Sequence, residues 1–94
     1  VNLYKFDEAL KKGLPAREMI EEIDIGGPCM LRAAAKNYHS VLVVPAVYWY
    51  NQIREELTAN DMQVGMDLRK KLAGAAFAAT AASDTAIAGW FAKG

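Results

Sequence analysis

Hydrophobic positions recur along this chain with two different periods, and the switches between them predict its elements. Val1 to Phe6 alternates, with Val1, Leu3 and Lys5 on one side and Asn2, Tyr4 and Phe6 on the other, the pattern of a short strand. Asp7 to Leu14 is charged and contains Gly13, so it reads as a connection holding at most a helical turn. Pro15 suits a first helical position, where an N–H would have no partner. Met19, Ile20 and Ile23 follow at helical spacing as far as Gly26-Gly27. Pro28 opens a further helix in the same way, to about Asn37, with Leu31, Ala34 and Ala35 as its buried stripe. Val41-Leu42-Val43-Val44 is a continuous, mostly β-branched run closed by Pro45, the signature of a strand covered on both faces. Tyr50, Ile53 and Leu57 predict another helix, and Thr58 to Gly65 is polar and loop-like. From Met66 to about Phe91, Leu68, Leu72, Ala75 or Ala76, Ala79, Ile87 and Trp90 repeat every three or four residues. This predicts one long helix or two, with Ser83-Asp84 as the candidate break.

Strand, helix, helix, strand, helix, long helix is the order of an α/β layer with parallel strands. Two strands are too few for a stable sheet. The pattern therefore predicts that further strands come from a missing segment or a second subunit. It also starts in mid-strand at residue 1 without an initiator methionine, which predicts a cut or processed product, or a chain lacking its upstream half.

Composition narrows the classes. Hydrophobic residues make up 53% of the 94 positions and charged residues 23%, the balance of a folded domain and not of a disordered tail. Eleven basic and eleven acidic side chains cancel, which leaves no electrostatic footprint for nucleic acid or an anionic membrane. Cys29 is the one cysteine and His39 the one histidine, too few for a disulfide framework or a zinc site, so no metal is expected and the compartment is read as the cytoplasm. No apolar stretch reaches the roughly 20 residues that span a bilayer.

Candidate chemistry gathers at two places. In Ile23-Asp24-Ile25-Gly26-Gly27-Pro28 a carboxylate stands beside two glycines just before a helix, whose unpaired N–H groups suit an oxygen-rich ligand. The same residues also fit a plain Gly-Gly-Pro turn with Asp24 on the surface. Arg32 and Lys36 lie four residues apart on one helix face, either a solvated basic stripe or a binding edge. Tyr4 and Asn2 share a face of the first strand, where a tyrosine more often packs than reacts.

A resemblance changes these weights. Asn-Leu-Tyr at 2–4, Glu-Ile-Asp-Ile-Gly-Gly-Pro at 22–28 and Leu-Arg-Ala-Ala-Ala-Lys-Asn at 31–37 occur in an order and spacing similar to the IMP cyclohydrolase domains of the AICAR transformylase/IMP cyclohydrolase family. Leu68-Arg69-Lys70-Lys71-Leu72-Ala73, with Ala76-Phe77, Thr80-Ala81, Asp84 and Ala86-Ile87, resembles the family's closing helix. The likeness covers nearly the whole chain. It implies a methylglyoxal-synthase-like α/β fold, a parallel sheet with flanking helices, of which residues 1–94 are the C-terminal half with about two strands and four to five helices.

The resemblance further implies purine nucleotide biosynthesis. The carboxamide nitrogen of formyl-AICAR nucleotide attacks its own formyl carbon, and loss of water gives IMP, with no metal or redox cofactor. Carried over by position, the catalytic residues are Tyr4, Asp24 and Lys36, with Asp24 and Lys36 as a coupled proton-handling pair and Tyr4 donating to the formyl oxyanion. Asn2 and the backbone of Ile25, Gly26 and Gly27 match contacts to the purine base. The implied partners are the purine nucleotide, the N-terminal half of the domain or another subunit, and a second copy in a homodimer.

The chain also departs from that pattern. Lys5 stands where a proline follows the strand tyrosine, Lys36-Asn37-Tyr38 replaces Lys-Asn-His with the histidine displaced to His39, and Pro45-Ala46-Val47-Tyr48-Trp49-Tyr50 replaces an acidic stretch. The family's phosphate-binding half and transformylase domain have no counterpart here. A second reading is therefore a non-catalytic, helix-rich interaction or dimerisation module, with Tyr48-Trp49-Tyr50 and the alanine helix as contact surfaces. Nothing in the sequence supports a methylglyoxal synthase.

Overall fold

In the computed structural model, residues 5–59 and 64–93 are described, and every regular element among them is helical. The elements are α1 (Lys5–Lys12), α2 (Ala16–Glu21), α3 (Gly26–Lys36), a 3₁₀ turn (Val47–Trp49), α4 (Tyr50–Ala59) and α5 (Met66–Ala92).

Helix α1 forms where a strand end and a connection were expected. Its charges run in the order that the helix dipole favours, Asp7 and Glu8 in the first turn and Lys11 and Lys12 in the last. Phe6 and Ala9, three residues apart, are its buried pair. Gly13 ends it at φ +63°, a conformation open to glycine, and its N–H donates to the Leu10 carbonyl at 3.2 Å. Pro15 is the residue before α2 and not its first. The Gly26-Gly27 pair opens α3 instead of closing α2, so Pro28 falls third in its helix, still within the first turn.

Helix α5 is one unbroken rod of 27 residues, about 40 Å long at 1.5 Å per residue. Ser83-Asp84 does not interrupt it, because neither residue removes a backbone donor. Gly65, the residue before α5, carries no capping side chain. Glu56 of α4 supplies the acceptor, taking the Gly65 N–H at 2.7 Å.

Two hydrophobic clusters lie along this rod. One joins Leu31 and Ala35 of α3, Ile53 of α4 and Leu68, Leu72, Ala73 and Ala76 of α5, with Val43 and Val64 from the connecting segments. The other joins Phe6, Ala9 and Met19 to Ala86, Ile87 and Trp90, the Phe6 and Trp90 rings meeting edge-on at 6.3 Å. Thr80 is the buried polar residue of α5, and its hydroxyl donates to the Phe77 carbonyl one turn back. The molecule is accordingly long and narrow, 51 × 22 × 16 Å.

The expected α/β parallel sheet is not found: no strand occurs among the described residues. Val1 to Tyr4 of the first expected strand lie outside them, and Lys5 and Phe6 belong to α1. Val41 to Pro45 has no regular structure, with Val43 buried in the cluster beside α5 and Leu42 and Val44 packed against it. β-Branched side chains fit any half-buried extended segment, and they form a ladder only where a neighbouring backbone offers partners. Here the neighbours are helices, whose own backbone bonds are closed.

Candidate functional site

The two candidate groups of α3 stand at its opposite ends. At the N-terminal end Ile25 already has helical angles (φ −92°, ψ −45°), and the Asp24 carboxylate accepts the Gly27 N–H at 2.9 Å. Asp24 is thus a helix cap in function, two residues before Gly26, and its negative charge sits at the positive end of the dipole. Cys29 donates its N–H to the Ile25 carbonyl at 3.2 Å, which closes the same turn. Ile25 is 69% exposed, Gly26 is open with nothing within 4 Å of an added Cβ, and the Gly27 N–H is engaged by Asp24.

At the other end Arg32 and Lys36 are exposed on successive turns and border a cleft of about 400 Å³ between α3 and α5. Ala73, Gly74 and Phe77 line its α5 side, and Tyr38 lines it just past the end of α3. Ala33, Ala35, Ala73 and Gly74 line it with small residues, and Arg32, Lys36, Tyr38 and Phe77 are its longer side chains. No carboxylate lines it, so two cations face an apolar and aromatic wall. Tyr38 is held from behind, because Arg69 of α5 donates through Nη1 to its carbonyl at 3.3 Å and through Nε to the Val64 carbonyl at 3.2 Å. Its ring also lies against His39, with centroids 4.3 Å apart.

Asp24 and Lys36 are twelve residues apart along one helix, about 18 Å by its rise. That separation is beyond the reach of a direct hydrogen bond, so the expected coupled pair does not meet in this arrangement. Ile25, Cys29, Arg32 and Lys36 do share one stripe, at offsets of four, seven and eleven residues. Tyr4 and Asn2 lie outside the described residues. The residues that sequence reasoning missed are Gly74, Phe77 and Tyr38. Their part in the groove depends on which turn of α5 meets α3, which no local pattern encodes. Among the described residues no three His, Cys, Asp or Glu side chains gather as a metal site would require, and no helix is long and apolar enough to cross a membrane.

The AICARFT/IMPCHase bienzyme family model matches residues 34–94, which include Lys36, Tyr38 and all of α5. Proteins called bifunctional purine biosynthesis protein PurH are similar over almost the full chain. That of Ruegeria sp. is 53% identical over 92 residues, 98% of this chain, and that of Bartonella tribocorum 48% over 93 residues, 99% of it. The protein of Bradyrhizobium diazoefficiens is 48% identical over 91 residues, 97% of the chain. In each case the chain spans 17% of the relative's length. A match of this extent decides the family even though it leaves most of each relative uncovered: the chain belongs to the AICARFT/IMPCHase bienzyme family.

Proposed function

We propose that this chain is the C-terminal half of a cyclohydrolase unit in cytoplasmic purine biosynthesis, which closes formyl-AICAR nucleotide to IMP. The observation that carries the reading is Lys36, a cation within the family match and on the rim of the groove between α3 and α5. In the reaction the carboxamide nitrogen bonds to the formyl carbon, the formyl oxygen becomes a hydroxyl, and that hydroxyl leaves as water with a proton. A positioned ammonium can supply a proton to the departing oxygen and stabilise the charge that precedes it. Tyr4, as donor to the formyl oxyanion, and Asp24, as proton acceptor, enter through the family resemblance. So do Asn2, Ile25, Gly26 and Gly27 as contacts to the base. Since about 18 Å of helix separates Asp24 from Lys36, these two groups act on different edges of the substrate. A ligand laid along the Ile25–Lys36 stripe connects them.

The test is Lys36→Ala in a protein that carries this segment within a complete cyclohydrolase domain. Turnover falls at least about tenfold, in line with the contribution of a general acid, and wild-type turnover removes Lys36 from the mechanism. A second reading, the non-catalytic interaction module, is favoured by one observation. Val47, Tyr48 and Tyr50 are 74%, 69% and 55% exposed, a contiguous apolar stretch at the surface. Loss of self-association in Tyr48→Ser, with no cyclisation by the complete domain, would place that reading first.

A further inference from the structure

We propose that Arg69 of α5 is a positioning residue for Lys36: its guanidinium ties the C-terminal end of α3 to the first turn of α5 and so holds the Lys36 ammonium at the cleft. The proposal rests on the reading of Lys36 as the proton-supplying group, and adds the residue that keeps it in place.

The two ends of α3 are secured differently. At the N-terminal end the helix has a local acceptor, Asp24. Lys36 is the last residue at the other end, where a helix frays first. No left-handed glycine stops the chain there. Asn37 has φ −97° and ψ 37°, and its N–H is shared between the Ala33 carbonyl at 3.3 Å and the Ala34 carbonyl at 3.1 Å. The backbone then turns on the Asn37 carbonyl, which accepts the Ser40 and Val41 N–H groups at 3.1 and 2.9 Å. All of these bonds are local and move with the end of the helix. Arg69 supplies a tie from another element. Its Nε donates to the Val64 carbonyl at 3.2 Å, which orients the guanidinium, and Nη1 reaches the Tyr38 carbonyl, 31 residues away in sequence, at 3.3 Å. Val64 is buried in the core, so the anchor point is itself held. A cation beside the carbonyls at the end of a helix is also favoured by the dipole. Tyr38 is two residues past Lys36, so a shift of its carbonyl carries the base of the Lys36 side chain with it. A displacement of about 1 Å from a change far from the chemistry can cost about a hundredfold in rate. Arg69 does not line the cleft, which means that it acts through Lys36 and not on the substrate.

The experiment measures turnover of formyl-AICAR nucleotide by a protein that carries this segment within a complete cyclohydrolase domain, with rates expressed per folded molecule. Arg69→Met is expected to lower kcat about tenfold, to the level of Lys36→Ala, and to leave KM unchanged. In the Lys36→Ala background the same substitution costs less than about twofold more, since an absent ammonium cannot be misplaced. A merely structural arginine would lower both backgrounds by the same factor. Arg69→Lys keeps the charge but not the two-pronged fork, so it shows the same non-additive loss. As the milder change, it carries the test where the methionine variant does not fold. Wild-type kcat in the folded Arg69 variants, an equal loss with and without Lys36, or a raised KM at unchanged kcat would each overturn the positioning role alone. Wild-type turnover of Lys36→Ala instead removes the reading of Lys36, and the proposal with it.

Discussion

The Asp24 carboxylate accepts the Gly27 N–H at 2.9 Å and so closes the first turn of α3. This bond gives a candidate catalytic group a structural task that can be measured by itself. Asp24→Ala leaves a helix N–H without its acceptor and should lower stability by about 1 kcal/mol, whereas Asp24→Asn keeps an equally good cap and should change it little. Urea midpoints at constant slope report the difference. If Asn falls as far as Ala, the charge and not the cap is what α3 requires. The Asn variant, stable but without a carboxylate, is also the form in which to ask whether Asp24 handles protons.

Arg69 binds two segments distant in sequence, the Tyr38 carbonyl at 3.3 Å and the Val64 carbonyl at 3.2 Å. One acceptor lies just after α3 and the other just before α5, so the guanidinium holds the groove's Tyr38 edge in place. Arg69→Met should cost about 1.5–3 kcal/mol, the range for hydrogen bonds to a charged group, and should speed amide exchange around residues 38–44. Arg69→Lys should restore little, because a compact ammonium lacks the spread of donors that a guanidinium presents. Full rescue by lysine would reduce the interaction to a general charge effect.

Several elements were legible in the sequence for reasons the structure makes plain. Leu31 and Ala35 are buried as their spacing requires, Ile53 anchors α4, and Leu68, Leu72 and Ala76 hold α5 against the core. Periodicity worked there because each helix buries one stripe against a partner. It failed at Lys5–Lys12, where Lys5 and Phe6 continue the alternation from Val1 and the charged residues after them read as a connection. The deciding signal, acids in the first turn and lysines in the last, was present but lay outside the apolar pattern. At Val41–Val44 the run predicts a strand covered on both faces, but the segment has no regular structure, and only Val43 of the four is fully buried. Of the site, Arg32 and Lys36 could be paired from their spacing, but Gly74, Phe77 and Tyr38 could not, because the packing of α5 on α3 brings them to one cleft.

The two clusters on α5 should unfold separately. Met19 and Leu72 are the largest fully buried side chains, one in each cluster, and replacing either by alanine should cost about 2–5 kcal/mol locally. Met19→Ala should raise amide exchange in α1, α2 and the last turns of α5 while α3 and residues 66–76 stay protected. Leu72→Ala should expose α3 and α4 first. Such regional opening is the behaviour of a cooperative unit smaller than the whole chain. A uniform loss of protection in both variants would show that α5 transmits one transition along its full length.

Two glycines should respond to alanine with opposite sign. Gly13 holds φ +63° after α1, and an added Cβ there meets nothing within 4 Å, so the cost of Gly13→Ala is conformational alone, about 1–2 kcal/mol for an L-residue in the left-handed region. Gly89 lies inside α5, exposed, and again has no atom within 4 Å of an added Cβ. With helical backbone on both sides, alanine there loses less conformational freedom on folding, and Gly89→Ala should add about 0.5–1 kcal/mol. Thermal denaturation of the two variants, measured beside the parent chain, separates the cases. A stabilising Gly13→Ala would mean that α1 does not end in the left-handed turn. A destabilising Gly89→Ala would mean that the last turns of α5 press against another surface when the protein is in solution.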